Sequence, residues 1–311
     1  MEKPRPVKNL RIEALKRFAL AITALNLAGH FFLGFESSWA HPLVAIITTY
    51  SLEIAFEKLY AYQHNKKPGY QGGFRKLILF LLPAHITAMA VSMLLFTNEN
   101  LSPIIFASAV AILSKIILRA SINGHSRHFL NPSNTGIATT LLLFPWIGIA
   151  PPYQFTENIA EAPDWILPVV FICVGSFLNT KLTKRMPLIL AWFGGFLLQG
   201  IARSLYFETP VVASIAPLTG VSFLLFSFYM ISDPATTPSK LLFQIAFGLS
   251  VAFVYSFLVI NHIVFGQFFA LFIVCGIRGL YFWIRPFLST ERIHSPEVIS
   301  QLSDEPVKVT V

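Results

Sequence analysis

The sequence predicts an all-α, polytopic integral membrane protein with about ten transmembrane helices, some of them short or broken. Of its 311 residues, 55% are apolar and only 12% are charged, which is far from the balance of a soluble domain. Apolar runs recur along the whole chain and leave almost no room for a soluble domain. Because a bilayer core about 30 Å thick needs roughly 20 apolar residues per helix, these runs predict membrane spans.

The predicted spans follow one another with short connections through most of the chain. Two of them, 136–150 and 165–180, are short or interrupted compared with a full bilayer crossing. We expect a basic cytoplasmic tail at 1–17, a single transmembrane domain at 18–285 and a second cytoplasmic tail at 286–311. The predicted spans are 18–35, 39–60, 77–96, 103–122, 136–150, 165–180, 187–206, 211–231, 240–260 and 262–284.

Positive charge is distributed unevenly between the two ends of these spans. Threading the chain through ten spans places 22 of the 23 Lys and Arg residues at the end that holds the N-terminus, with Arg203 alone at the other end. The connection 154–165 at that other end is acidic, with Glu157, Glu161 and Asp164. This asymmetry is typical of the positive-inside rule, so it predicts a cell-membrane protein with both termini in the cytoplasm. It also accounts for the net charge of +8 without nucleic acid as a partner.

Two polar segments interrupt the apolar runs and share a short pattern. Asn131-Pro132-Ser133-Asn134-Thr135 and Asp233-Pro234-Ala235-Thr236-Thr237 each hold an Asx-Pro pair, a small residue, a polar residue and Thr. Asx-Pro starts a turn, and Ser, Asn and Thr side chains can cap the helix that follows. The pattern therefore predicts two helix starts, which are either ordinary capped turns or parts of a polar site.

A polar site at these segments would suit an anion, because helix N-terminal amides attract negative charge, phosphate above all. Arg127 and His128 lie just before the first segment and would add positive charge to it. Asp233 directly follows an apolar run, where an unpaired carboxylate costs several kcal/mol, so it needs a partner. The candidate partners are Arg127, Lys240 and the helix amides.

Matching motifs of inverted repeats lie on opposite sides of a membrane. The threading puts both polar segments on one side, so the segments do not themselves indicate an inverted repeat.

The strings around the two segments resemble the paired signatures of the NqrB/RnfD family of membrane subunits. HFLNPSNTGIATTLLLFPW begins at His128 and LFSFYMISDPATTPSKLLFQIAFGL begins at Leu225. The family's first signature, Phe-Asn-Pro-Ala with a Gly soon after, is matched by 130–133 and Gly136. Its second, Thr-Asp-Pro with a Ser/Thr-rich turn, is matched by the segment that starts at Ser232. The similarity extends over about residues 104–283.

The resemblance implies a flavin, FMN or riboflavin, as cofactor. Family members with covalent FMN attach it to a Thr in a motif like Asp-Gly-x-Ser-Gly-Ala-Thr, between the two signatures. The corresponding connection here contains no Ala-Thr, and the nearest such pair, Ala138-Thr139, sits inside the first signature, where small residues commonly serve helix packing. We therefore expect any flavin to be bound non-covalently. In its length and short connections the chain is also similar to the UnbU-type proteins found with enediyne biosynthesis.

The function that this resemblance implies is that of a membrane subunit in flavin-dependent electron transfer, with cation movement as an associated activity. Redox partner proteins or other subunits would deliver the electrons, and the lipid bilayer surrounds the chain. The alternative is a small-molecule or ion transporter or channel without a redox role, in which the two polar breaks form the substrate site. The residues expected to bind the cofactor are Arg127, His128, Asn131, Ser133, Asn134, Thr135, Asp233, Thr236 and Thr237.

Two further groups of residues bear on an ion path and on a metal site. Glu53 and Glu57 are four residues apart and share one helix face, and carboxylates within a span are costly enough to predict an ion or proton path. The alternative for Glu57 is a simple interfacial pair with Lys58 or Arg75. His125 and His128 form an H-x-x-H pair, but no second ligand pair lies nearby in the sequence, so we expect no metal site.

Overall fold

Helices make up most of the computed structural model of the chain, which describes residues 10–122, 124–151, 158 and 166–290. The predicted features that fall outside the described residues are tail residues 1–9 and 291–311 and the acidic residues Glu157, Glu161 and Asp164. The fold is all-α in character, as predicted, because its strands are only two to four residues long.

The first half of the chain, residues 10–151, folds into a series of helices joined by short turns. Its helices are α1 (Leu10–Ala28), α2 (Ala40–Gln63), α3 (Phe74–Leu94), α4 (Ser102–Ile117) and α5 (Pro132–Leu143). Two antiparallel strand pairs complete it: β1 (Leu95–Phe96) with β4 (Gly148–Ile149), and β2 (Arg119–Ile122) with β3 (His125–His128).

The second half, from residue 166, repeats this order of helices with one of them broken. Its helices are α6 (Ile166–Leu178), α7 (Met186–Tyr206), α8 (Val211–Ile215), α9 (Val221–Leu225), α10 (Leu241–Ile260) and α11 (Gly266–Thr290). A 3-10 turn (Ala216–Thr219) follows α8, and a π turn (Phe226–Met230) follows α9. The two pieces of this broken element, Val211–Thr219 and Val221–Met230, meet at an angle of 64°.

The first helix of each half ends in the same way. Helix α1 closes with a π turn at Gly29–Leu33, and α6 closes with one at Asn179–Thr183. A left-handed residue follows each turn, Gly34 with φ 83° and Lys184 with φ 55°. The N–H of Phe35 then donates a 3.0 Å hydrogen bond to the carbonyl of Gly29, six residues back. In the same way the N–H of Arg185 donates a 3.0 Å hydrogen bond to the carbonyl of Asn179. This is a left-handed helix stop, and its recurrence at matching places relates the two halves.

The second and fourth elements of each half run parallel and pack together. In the first half, α2 and α4 start side by side, because Thr97 lies 3.4 Å from His41 (Oγ1 to Nε2), and Glu53 forms an ion pair with Lys115 further along both helices. In the second half, α10 approaches α7 so closely at Gly248 that a Cβ there would overlap the carbonyl oxygen of Leu188. We call the end where α2 and α4 begin the Thr97 end.

The two halves run in opposite directions. The middle of α7 already lies towards the Thr97 end, because Phe196 packs on Phe223, and the neighbouring Ser222 donates a 3.1 Å hydrogen bond to the carbonyl of Ala150. The N–H of Ala150 in turn bonds over 2.9 Å to the carbonyl of Leu94, where α3 ends. Thus α7 ends where α2 begins. We call the opposite end, where α7 and α10 begin, the Arg185 end.

Helix α5 is too short to cross a bilayer, since 12 residues span about 18 Å of a hydrocarbon core about 30 Å thick. It packs against α4 through Gly136, where a Cβ would overlap the carbonyl oxygen of Ala107. Its first residues are buried, including Asn134 and Thr135. The helix therefore begins inside the bundle, and it places the first polar segment there.

Five helices in the described part of the chain are long and apolar enough to cross a membrane, or six if the broken element counts as one span. These five are Phe74–Leu94, Ile166–Thr183, Met186–Tyr206, Leu241–Ile260 and Gly266–Arg285. Such helices fit a membrane-embedded protein, but the prediction of ten spans is not confirmed. Each predicted span does contain helix; α4 and α5 are short, and polar side chains such as Tyr50 and Glu53 interrupt the apolar sequence of α2.

Candidate functional site

The first polar segment caps α5, as its pattern predicts. Asn131 is the residue before the helix, and its side-chain oxygen accepts a 3.0 Å bond from the N–H of Asn134 and a 2.9 Å bond from the hydroxyl of Ser133. The hydroxyl of Thr135 donates to the carbonyl of Asn131 over 2.7 Å. Asn131 is 7% exposed, so this cap is assembled almost out of contact with solvent.

The same cap connects the two polar segments, because Asn131 has a second role. Its side-chain amide donates a 3.1 Å bond to the carbonyl of Met230, in the π turn just before Asp233. A π turn leaves carbonyls without their usual helical partners, so side-chain donors are needed there. Asn179, at the end of α6, supplies another such donor, because its side-chain amide donates a 2.8 Å hydrogen bond to the carbonyl of Phe228. Two asparagines, one from each half, thus hold the π turn.

Asn134 links the start of α5 to the start of α11. Its side-chain amide donates a 3.0 Å bond to the carbonyl of Phe268, while its side-chain oxygen is buried without a hydrogen-bond partner in the described part of the chain. An unpartnered buried oxygen is uncommon and costs free energy. It marks the start of α5 as a place where a ligand or water would be stabilising.

The second polar segment forms a compact turn around Asp233. The carboxylate accepts a 3.0 Å bond from the N–H of Ala235 and a 3.1 Å bond from the hydroxyl of Thr236. The backbone carbonyl of Asp233 accepts the hydroxyl of Thr237 over 2.6 Å. Of the partners expected from the sequence, one backbone amide after Pro234, that of Ala235, is confirmed, although it lies in a turn and not in a helix. The turn does not directly cap α10, which begins later, at Leu241.

Two arginines that sequence reasoning did not select lie at this turn. The Nε of Arg185 donates a 2.9 Å bond to the hydroxyl of Thr237, and Nη1 of Arg278 donates to the carbonyl of Thr236. Burial lowers the pKa of Arg185, the charge of Asp233 raises it, and the charge of Arg278 lowers it, so the three charged groups interact. Arg278 could have been noticed from the sequence, because a charge inside an apolar run is costly and commonly functional.

We call this region the motif junction. It joins the start of α5, the turn before α10, the start of α7 and the middle of α11, so four elements from both halves meet there. Its residues are Asn131, Asn134, Arg185, Met230, Asp233, Thr236, Thr237 and Arg278.

Other residues that were expected at the site lie in a different setting. Arg127 and His128 belong to β3, where Arg127 is exposed and pairs with Ala120 of β2. Lys240 is exposed at the start of α10. Neither Arg127 nor Lys240 forms an ion pair with Asp233 in the described structure. The positive charge at this turn comes instead from Arg185 and Arg278, which bond to Thr237 and to the carbonyl of Thr236 and form no ion pair with Asp233 in the described structure either.

The predicted ion-path residues lie in the first half. Glu53 forms an ion pair with Lys115 of α4, and Glu57 accepts a 2.6 Å hydrogen bond from the N–H of Gly69. This backbone bond replaces the pair with Lys58 or Arg75 that the sequence suggested for Glu57. Among the described residues there is no cluster of His, Cys, Asp and Glu side chains that could hold a metal ion.

No family model matches the chain, and no curated protein sequence matches it at a significant level.

Proposed function

We propose that the chain is a membrane subunit of a flavin-dependent electron-transfer system resembling NqrB/RnfD, and that it holds the flavin non-covalently at the motif junction. The observation that carries the proposal is the direct contact between the two signature-like segments, through Asn131 and the carbonyl of Met230. These segments are 99 residues apart in sequence, yet they share one buried site. Two isolated capped turns would have no reason to meet.

The charges at the junction fit an anionic group such as a flavin phosphate. The junction holds two guanidinium groups, Arg185 and Arg278, bonded to Thr237 and to the carbonyl of Thr236, and one carboxylate, Asp233, so the described charges sum to an excess of one positive charge. The carboxylate oxygens are already engaged by the N–H of Ala235 and the hydroxyl of Thr236. A buried positive excess is costly unless an anion neutralises it, which favours a phosphate-bearing ligand.

Each residue has a distinct role in this proposal. Arg185 and Arg278 would bind the anionic group, and the backbone N–H groups at the start of α5 would add a partial positive charge. The hydroxyl of Thr237 would hold Arg185 in position and the carbonyl of Thr236 would hold Arg278, while Asp233 would fix both threonines in the turn. The flavin, when bound, accepts and donates electrons, and the protein orients it and tunes its electrostatics. Redox partner proteins would supply the electrons, with cation movement as an associated activity.

Non-covalent binding is supported by the setting of Thr139, the nearest equivalent of an attachment residue. Its hydroxyl donates to the carbonyl of Thr135 within α5 and is partly buried. A hydroxyl used in this way is not presented as an acceptor for a phosphoester. Any flavin should therefore separate from the denatured protein.

The test is the absorbance spectrum of the detergent-purified protein before and after acid precipitation. We expect a flavin spectrum that moves to the supernatant on precipitation. Arg278→Gln and Arg185→Gln should each lower the bound flavin at least tenfold, whereas Arg75→Gln, at an exposed arginine of α3, should not. A colourless wild-type protein that also fails to take up added FMN would contradict the proposal. Flavin that remains on the protein band would contradict non-covalent binding.

The orientation of the chain is part of this proposal. The described lysines and arginines cluster at the Arg185 end, including Lys66, Lys67, Arg75, Lys181 and Lys184, so we place that end in the cytoplasm. Both termini should then be cytoplasmic. A reporter fused after Val311 that is active only outside the cell would contradict this orientation.

A transporter without redox chemistry is the second candidate, and the opposed directions of the two halves favour it. Halves of opposite direction with a short helix that starts inside the bundle are a recurrent plan of secondary transporters. In that case the motif junction would bind an anionic solute. A flavin-free protein whose melting temperature rises with small organic anions, but not in Arg278→Gln, would favour this function over electron transfer.

A further inference from the structure

A line of buried and half-buried polar side chains runs through the first half of the chain, and the motif junction does not use it. The line passes from α2 to α3 and then along α1, with Lys115 of α4 at its side. Its members are Glu57, Glu53, Lys115, Tyr50, His85, Thr23, Asn26 and His30.

The centre of the line is His85, which joins three helices. Its Nδ1 lies 2.9 Å from the hydroxyl oxygen of Tyr50 on α2, and its Nε2 lies 2.7 Å from the hydroxyl oxygen of Thr23 on α1. The hydroxyl of Thr23 donates to the carbonyl of Ala19 over 2.7 Å, so its oxygen is left to accept from the ring. The ring therefore carries its proton on Nε2, and Nδ1 accepts a hydrogen bond from the hydroxyl of Tyr50. The hydrogen bonds therefore all point one way, from the hydroxyl of Tyr50 through His85 and Thr23 to the carbonyl of Ala19.

Towards the Arg185 end, the line continues along one face of α2. Tyr50, Glu53 and Glu57 follow each other at helical spacings of three and four residues, which makes them neighbours on the helix surface. One oxygen of Glu53 pairs with Lys115, and the other is buried without a hydrogen-bond partner among the described residues. A buried carboxylate oxygen in this state is stabilised by binding a proton or a water molecule.

Towards the Thr97 end, the line continues along one face of α1. Thr23, Asn26 and His30 are again three and four residues apart. The Nδ1 of His30 lies 2.9 Å from the carbonyl of Asn26, and its Nε2 is buried without a partner in the described structure. His41, which starts α2 at this end, likewise has a buried and unpartnered Nδ1. Both helices that carry the line thus have titratable groups with unused hydrogen-bonding capacity.

The length of the line suits a membrane crossing. Glu57 follows Tyr50 by seven positions, and His30 follows Thr23 by seven positions. Seven steps rise about 10 Å in a helix. The two segments together cover about 20 Å, and the ring of His85 bridges them. This is most of a hydrocarbon core about 30 Å thick, so the remaining gaps are short enough for water to bridge.

We propose that this line is a proton path through the first half of the chain, with His85 as the central exchange group. A proton arrives from Glu53 on the oxygen of Tyr50 while the hydroxyl proton of Tyr50 moves to Nδ1 of His85. The proton on Nε2 then moves to the oxygen of Thr23, whose own hydroxyl proton turns away from the carbonyl of Ala19 and passes to a water molecule on the side of Asn26 and His30. One proton enters, one leaves and no electron moves; rotation of the ring and of the hydroxyls restores the starting state. The proposal gives the cation movement of the proposed function a chemical identity and rests on that function in this respect only.

The test is proton flux into reconstituted vesicles loaded with a pH-sensitive dye, driven by a potassium gradient with valinomycin. We expect wild-type protein to carry protons well above protein-free vesicles. His85→Gln, which keeps a polar side chain of similar reach but does not exchange protons, should lower the flux at least tenfold. The matched control is His64→Gln, an exposed histidine that follows α2 and bonds only to the carbonyl of Tyr60 in the described structure, and it should leave the flux unchanged.

A second variant keeps the test decisive if His85→Gln does not fold. Tyr50→Phe removes only the hydroxyl that donates to Nδ1, and it should also lower the flux at least tenfold. Wild-type flux no greater than that of empty vesicles would overturn the proposal, as would wild-type flux in folded His85→Gln or Tyr50→Phe. Flavin content is measured in the same preparations, so the loss of one activity is distinguished from the loss of the other.

Discussion

The two halves of this chain share an order of helices but use their buried polar groups differently. In the second half, Asn179 bonds to a carbonyl of the π turn, and Arg185 bonds to Thr237 at the motif junction, where the unpartnered side-chain oxygen belongs to Asn134 of the first half. In the first half, three titratable atoms are buried without partners in the described structure: Nε2 of His30, Nδ1 of His41 and Oε2 of Glu53. Polar groups whose hydrogen bonds are formed hold a ligand site in a fixed shape. Titratable groups with an unused hydrogen-bonding position can take up and pass on protons.

The comparison shows that one helical plan can carry two different arrangements of buried polar groups. The fourth element ends beside an ion pair in the first half, at Lys115, whereas in the second half it begins at Leu241, after the turn that contains Asp233. The fifth element is a 12-residue helix in the first half and a 25-residue helix in the second. The short α5 brings a capped helix start into the bundle interior, where it contacts the second polar segment. The motif junction therefore depends on the difference between the halves as much as on their likeness.

The largest expected effect comes from the contact that places α5. Gly136→Ala puts a Cβ against the carbonyl oxygen of Ala107, and neither backbone can move without separating α4 from α5. We expect a loss of stability of about 3 kcal/mol, at the upper end of overpacking effects, together with loss of flavin. Gly276→Ala in α11 is the matched control, because a Cβ there meets nothing within 4 Å. Thermal unfolding in detergent measures both, and equal melting temperatures would show that α5 is not held by this contact.

The next effect separates the two functions of Asn131. Asn131→Ala removes the cap of α5 and the donor to Met230, and we expect a loss of about 2–3 kcal/mol. Asn131→Asp keeps the capping oxygen but cannot donate to the carbonyl, so it isolates the link between the segments. Unfolding measurements on both variants give the two contributions. If the Asp variant is as stable as wild type and binds flavin equally well, the link to Met230 is incidental.

Much of the local chemistry at the junction could be predicted from the sequence, because capping acts over a few residues. The Asx-Pro pattern correctly placed a cap at Asn131 and a turn at Asp233, but the helix start predicted at Asp233 was wrong, because α10 begins only at Leu241. The contacts of Arg185 and Arg278 could not be predicted in this way, since they join residues 52 and 42 positions apart. Helix lengths were also missed, because an apolar run such as 136–150 looks the same whether the helix ends at residue 143 or continues.

A crossed measurement directly tests whether the halves divide the work. Arg278→Gln should lower bound flavin at least tenfold while leaving proton flux near wild type, and His85→Gln should do the reverse. The physical reason is that the two residues belong to separate hydrogen-bonded groups, one with Thr236 and the other with Thr23 and Tyr50. Each variant serves as the folding control for the other. If either variant loses both activities while staying folded, the two halves work as one unit.

The smallest expected effect concerns Glu57, where the proton path reaches the Arg185 end. Its carboxylate accepts a 2.6 Å hydrogen bond from the N–H of Gly69, which lies in an exposed loop. This bond needs a side-chain oxygen and not a negative charge. Glu57→Gln keeps that oxygen, and we expect stability within about 0.5 kcal/mol of wild type, as for other surface changes. Proton flux should fall by less than about threefold, because water can deliver protons directly to Glu53 one turn further in. Glu53→Gln, in contrast, should lower the flux at least tenfold, since it replaces the first buried carboxylate of the line. Equal losses in the two variants would move the entrance of the path out to Glu57, and an unchanged flux in both would leave His85 without a proton source from this end.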